Sequence, residues 1–183
     1  MSSISPSIAF TAPHHEATKA GQAILEQGGT AIEAMVAAAA TIAVVYPHMN
    51  GLGGDGFWLI SEPGKAPIGI DASGKAAQLA TLDFFQGEDA IPARGGKATV
   101  TMAGAVAGWQ KALDISALWQ APKPLSELLQ NAIDHAENGI EITESLQAAS
   151  QKVHNDLAAL PGLAQFLDQG EALTHGNRLT PST

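Results

Sequence analysis

Gly51, Gly53 and Gly56 in the run Gly51-Leu-Gly-Gly-Asp-Gly56 fit G-x-G-x-x-G, a spacing that in one setting cradles a dinucleotide pyrophosphate. That chemistry needs a strand before the glycines and a helix after them, so that a helix N-terminus presents its amides to the phosphates. Here the order is reversed: residues 31–46 carry helical patterning, and Phe57-Trp-Leu-Ile60 is a short apolar run of strand character. Asp55 would also repel a pyrophosphate. Two readings remain for Gly51, Gly53, Gly54 and Gly56: a structural glycine loop, where the chain crosses another backbone too closely for a Cβ, or a loop lining a substrate pocket. His14 and His15 are adjacent, do not share a face in helix or strand, and read as solvated loop histidines rather than metal ligands. Thr174-His175 lacks Gly-rich and apolar neighbours and reads as loop. Ser2 would be an N-terminal nucleophile if Met1 were removed, but the Ser-rich start reads as a flexible terminus. No metal and no cofactor is expected.

The elements that position these groups are written in periodicity. Residues 7–12 form a strand candidate and residues 13–16 a loop. Ala17, Ala20, Gly21, Ile24 and Leu25 follow helical spacing, with Gly28-Gly29 as the stop. Thr30-Ala-Ile-Glu33 fits a capping box, and the helix it opens, residues 31–46, is apolar nearly all round, which places it between other elements until Pro47 ends it. Residues 57–60 and 67–71, joined through Glu62-Pro-Gly-Lys65, predict a hairpin. Residues 82–97 read as a surface excursion carrying a solvated Arg94. A helix is expected over 105–119 with Trp109 on its inner face. A second, to Gly139, has Leu125, Leu128, Leu129, Ala132, Ile133 and Ala136 as its core face and His135 and Glu137 on its polar side. A third, capped by Thr143 and ending at Leu160, is expected to pack on its predecessor as an αα-hairpin, leaving a tail poor in apolar residues from Gly170.

At 183 residues the chain is the size of one ordinary domain, 1–183, with core enough to fold. Eighteen acidic against nine basic side chains give a formal charge of -9, which disfavours nucleic acid and anionic membranes as partners. Small molecules or proteins fit better. There is no Cys, hence neither disulfide nor thiol chemistry. The longest apolar run falls short of the ~20 residues that span a bilayer, and the start lacks a basic region followed by an apolar one, so a cytoplasmic location is the expectation.

In order and spacing, Gly21 to Gly29, Thr30-Ala-Ile-Glu-Ala34, Val45-Tyr-Pro47, Gly51-Leu-Gly-Gly-Asp-Gly-Phe57 and Ile70-Asp71 resemble the start of the γ-glutamyltransferase (glutathione hydrolase) large subunit. The likeness runs on through Val100-Thr-Met-Ala-Gly104-Ala-Val-Ala-Gly108-Trp109 and covers residues 8–180. Periodicity alone gives α/β or α+β. The resemblance implies the αββα sandwich of the N-terminal nucleophile hydrolases, with only its N-terminal part present. It also implies a Thr nucleophile, activated by its own α-amine, on a small subunit supplied by self-cleavage of a precursor. No Thr-Thr-His or equivalent cleavage motif occurs here, so no catalytic residue is assigned to this chain, and a partial large subunit or a truncated relative is expected. Edges and apolar surface left by the missing half would favour a partner chain.

One departure from the family bears on substrate. The family pattern after the second strand is Asp, one residue, then Arg-Glu, the Arg binding a glutamyl α-carboxylate. Asp71-Ala-Ser73-Gly74-Lys75 puts Ser73 at the Arg position, which loses a planar bidentate carboxylate binder. Lys75, two residues on and of the same strand parity, is the candidate replacement, against a plain reading as a solvated lysine. This spacing is similar to γ-glutamyltransferase-like amidohydrolases that act on small amides. The expectation is therefore amide hydrolysis or transfer of an amide-linked acyl group, with Ser73 and Lys75 as substrate-binding residues. The competing expectation is a non-catalytic relative that binds a small acid or serves as a structural subunit.

Overall fold

The computed structural model describes residues 8–159 and 166–180, with the elements α1 (His15–Glu26), α2 (Ala31–Val45), β1 (Gly56–Ile60), β2 (Ile68–Ala72), α3 (Ala105–Ser116), α4 (Leu125–Asn138), β3 (Ile140–Glu141), α5 (Glu144–Ala159) and β4 (Arg178–Leu179). Ser2, Ser7 and Leu160 lie outside the described residues. The chain packs as two compact units: Met1–Asn50 with Leu113–Thr183, and Gly51–Ala112.

The first unit is built around α2. Its capping box forms as the sequence requires: Thr30 Oγ1 accepts the Glu33 N–H at 3.1 Å, and Glu33 Oε2 accepts the Thr30 N–H at 2.7 Å. Glu33 is fully buried, and its second oxygen accepts the Lys123 N–H at 2.7 Å, so a charge removed from water is held by two backbone amides. Along the helix, Ala38 and Ile42 pack with Ala17 of α1, and Val45 joins Ile140, Ile142, Leu146, Leu173 and Leu179. The small side chains let α1 and α4 both lie close against α2.

Four expectations are corrected in this unit. Residues 8–12 form no strand: the Ala12 N–H is taken by Thr18 Oγ1 at 3.0 Å, and Phe10 packs into the α1–α2 core. The local side-chain bond and the ring contact replace a sheet partner. α1 begins at His15, because His14 Nδ1 accepts the Glu16 N–H at 3.2 Å and so caps the helix. α4 does not form an αα-hairpin with α5 but lies on α2, with Leu128 and Ala132 buried, while Leu125 and Ile133 stay 48% and 40% exposed. Half of its expected core face is therefore uncovered among the described residues. The segment expected to be a tail is integrated: β4 pairs antiparallel with β3, and the Ser150 hydroxyl accepts the Leu173 N–H at 3.0 Å. α5 itself starts as expected, with Thr143 Oγ1 accepting the Leu146 N–H at 3.2 Å, and it kinks at Val153.

The second unit is a hairpin with long loops. β1 and β2 pair antiparallel from Gly56↔Ala72 to Ile60↔Ile68, the hairpin that the apolar run 57–60, the turn and residues 67–71 predict. Residues 82–97 form the expected surface excursion, mostly exposed turns that lead into a 3-10 helix at Gly96–Ala98. In α3 the fully buried position of this unit is Ala112, at 0% exposure, and Trp109 is half-buried, so small residues rather than the indole make the inner stripe. Residues 105–112 of the helix pack through small side chains rather than an aromatic anchor.

Candidate functional site

Three backbone segments of the second unit meet at one place. The Gly54 carbonyl accepts the N–H groups of Gly104 and Ala105, both at 3.0 Å. Asp55 Oδ1 accepts the Gly74 N–H at 3.1 Å. The Lys75 carbonyl accepts the Met102 N–H at 3.0 Å, and an antiparallel bridge joins Ala76 to Thr101. Residues 54–55, 73–77 and 100–105 are thereby tied into a single crossing.

Only glycine fits the heart of it. A Cβ on Gly74 would fall 1.5 Å from the Met102 carbonyl oxygen, and one on Gly104 would fall 1.9 Å from that of Ala72. By contrast, a Cβ at Gly51 or Gly53 would meet nothing within 4 Å, at Gly54 only the Gly51 oxygen at 3.9 Å, and at Gly56 it would be in ordinary contact with Ala105. The close approach that the sequence suggested for residues 51–56 thus lies at Gly74 and Gly104, and residues 51–55 are an exposed loop tied to the crossing through Gly54 and Asp55. The order helix, glycine loop, strand is as the sequence requires, with no helix N-terminus after the glycines.

Ser73 and Lys75 sit just past the end of β2, which closes at Ala72, so strand parity does not relate them. Both are exposed. The Ser73 hydroxyl donates to Asp71 Oδ1 at 2.6 Å, and the Ser73 N–H reaches the same oxygen at 2.9 Å. These bonds, the hydroxyl's first, hold the Asp71 carboxyl below the usual carboxylate range. Lys75 supplies the only formal positive charge between residues 71 and 75. Sequence reasoning missed the Asp71–Ser73 and Asp55–Gly74 bonds. Their signal was the pair of carboxylates one residue before strand ends, legible only once the register is known.

A concavity lies wholly in the first unit. About 510 Å³ in volume, it is lined by His14, His15, Glu16, His135, Glu141 and Arg178 among others. Glu16 is held below its usual range, chiefly by its hydrogen bond with Lys19 at 2.8 Å. It also approaches His15 Nε2 at 3.0 Å and His135 Nε2 at 3.5 Å. His14 is 8% exposed and pushed below the usual imidazole range by burial and then by His15, so the solvated loop reading of this residue is corrected. His135 likewise faces Glu16 instead of lying idle on a polar face. Among the described residues no three His, Cys, Asp or Glu side chains are placed to hold a metal ion.

The mixed α/β arrangement is that of part of an N-terminal nucleophile hydrolase of the γ-glutamyltransferase type. It superposes on Helicobacter pylori γ-glutamyltranspeptidase with a TM-score of 0.86 at 26% identity, over 96% of this chain and 51% of that one. Residues 17–183 match the family model described as gamma-glutamyltranspeptidase, and the chain belongs to that family. It is 53% identical over 169 residues to an oxamate amidohydrolase proenzyme of Klebsiella pneumoniae, covering 91% of this chain and 32% of that protein. It is 38% identical over 168 residues to a glutathione hydrolase-like proenzyme of Bacillus subtilis, covering 91% of this chain and 31% of that one. The chain thus spans about a third of the length of these curated relatives.

Proposed function

We propose that this chain is the large-subunit portion of a γ-glutamyltransferase-like amidohydrolase, working with a Thr nucleophile carried on a small subunit outside the 183 residues. The observation that carries the reading is Ser73, tied to Asp71 at 2.6 Å where the family pattern has an arginine. A short hydroxyl already engaged with a carboxylate leaves no bidentate clamp for a glutamyl α-carboxylate. The likeness to an oxamate amidohydrolase supports a small amide that also bears an acid group. In this reading Lys75 supplies the charge for that acid group, Ser73 shapes the space beside it, and the exposed Gly51–Asp55 backbone lines the pocket. The nucleophile's hydroxyl would attack the amide carbonyl after losing its proton to its own α-amine, forming an acyl-enzyme with release of the amine, and water would then free the acid.

The test has two stages. Intact mass and N-terminal sequencing of the protein as produced from its natural reading frame should reveal a second chain starting with Thr. That assembly should release ammonia from a small amido acid. Lys75→Ala should raise KM roughly tenfold or more, the size expected for one hydrogen bond to a charged group. Ser73→Arg should improve use of γ-glutamyl substrates relative to the small amide. A single 18.8 kDa species with no Thr-bearing partner and no amide turnover would leave the non-catalytic reading in its place.

A further inference from the structure

At the carboxyl end of α2 four rings follow one another. His15 stacks on His14 with centroids 4.6 Å apart, His14 tilts toward Tyr46 at 5.9 Å, and Tyr46 meets His48 edge-on at 4.3 Å. Tyr46 is the C-cap of α2, and its carbonyl accepts the Met49 N–H at 3.1 Å and the Asn50 N–H at 3.2 Å. Those two bonds close the turn that leads the chain to Gly51. Both ring nitrogens of His48 are shielded from solvent and have no hydrogen-bond partner among the described residues. Buried polar atoms without partners are uncommon, and a histidine that leaves both nitrogens so is stable there only as the neutral ring.

We propose that this ladder is an acid-sensitive latch: the neutral His48 ring packs on Tyr46 and keeps the 46–50 turn closed, and protonation of His48 expels the ring and opens the turn. A neutral imidazole in this place leaves one N–H and one lone pair unsatisfied. An imidazolium leaves two donors and a full charge without an acceptor among the described residues. Burial holds His48 below the usual imidazole range. The other end of the ladder differs. His14 is lowered by burial, by His15 of α1 and by His135 of α4, and is raised by Glu16 of α1 and Glu141 of β3. Counter-charges there offset part of that lowering without reversing it, and acid acts on the turn through His48, which lies within it.

The test is a side-chain ¹H–¹⁵N titration of the full chain from pH 7.5 to 4.5, paired with hydrogen-exchange protection of the Met49 and Asn50 amides. His48 should titrate below free histidine, and protection at both amides should fall severalfold across its titration, since a lowered folded-state pKa couples proton uptake to opening. His48→Phe should keep the turn protected throughout this range. If that variant does not fold, His48→Gln, equally unable to take up a proton there, carries the same expectation. The proposal is overturned if His48 titrates like the free side chain, if protection at Met49 and Asn50 is unchanged by acid, or if the Phe or Gln variant loses protection as the parent does.

Discussion

The two units satisfy their groups in opposite ways. In the first, a helix buried along most of its length has its one buried carboxylate, Glu33, bonded to the amides of Thr30 and Lys123. In the second, the hairpin turns Phe57 and Leu59 outward at 72% and 80% exposure, and the following loops leave Leu79 and Leu82 at 81% and 92%. What holds the second unit is backbone: three segments crossing at Gly74 and Gly104. The lesson is that side-chain burial organises one unit and close main-chain approach the other, so different kinds of substitution should break each.

The largest effect is expected at Glu33. Glu33→Ala removes the acceptor of one buried and one partly buried amide and leaves a cavity, and orphaned buried donors cost about 1–3 kcal/mol each. A loss of roughly 4 kcal/mol, read as a shift in the urea midpoint by far-ultraviolet circular dichroism, would follow. Glu33→Gln should lose less, because its carbonyl oxygen still serves one of the amides. Equal losses for the two variants would show that neither side-chain volume nor one retained acceptor is enough at this site, and that both carboxylate oxygens are needed.

Next is the crossing. Gly74→Ala puts a methyl 1.5 Å from a carbonyl oxygen that is part of the backbone, so the segments must part, at about 3 kcal/mol as for other overpacked sites. Gly51→Ala, in open space, should stay within about 0.5 kcal/mol. The pair separates a steric glycine from a merely exposed one. If Gly51→Ala leaves stability alone yet weakens substrate binding in the assembled enzyme, the exposed loop is a pocket wall. If it leaves both untouched, that role is removed from residues 51–55.

These contrasts also explain what could be read from the residues alone. The capping box at Thr30, the apolar α2, the hairpin of residues 56–72 and the cap at Thr143 are local patterns, each complete within a few positions, and all appear as expected. The misplaced elements depend on distant partners. α4 faces α2 rather than α5, because which apolar stripe is covered is decided by elements far along the chain. The segment after Gly170 looked like a tail because its two anchoring side chains, Leu173 and Leu179, are too sparse to show periodicity, yet they close the core on Ile140 and Ile142. At the candidate site the glycine-rich run drew the eye to residues 51–56, while the positions that need glycine, 74 and 104, are isolated ones whose partners are carbonyls 28 to 32 residues away. Ser73 was legible as a departure from a family pattern. Its bond to Asp71 was not, since it rests on the turn that ends β2.

The smallest effect sharpens the comparison by pH. In the first unit His14 and His48 are both held below the ordinary imidazole value of 6.5, so the unfolded chain binds protons more readily than the folded one. Their contribution is complete above pH 6.5 and is lost as pH falls through the lowered folded values. In the second unit the depressed group is the exposed Asp71 carboxyl, whose ordinary value is 3.8, so its contribution is complete above that and fades only in stronger acid. Residue-resolved hydrogen exchange at stepwise lower pH should therefore show α1 and the end of α2 losing protection while the β1–β2 amides retain theirs. Asp71→Asn should shift the β1–β2 response alone, and by little, because an exposed carboxylate is well screened. Loss of protection in both units at one pH, unaffected by Asp71→Asn, would mean that they unfold as one cooperative body and that acid sensitivity belongs to neither separately.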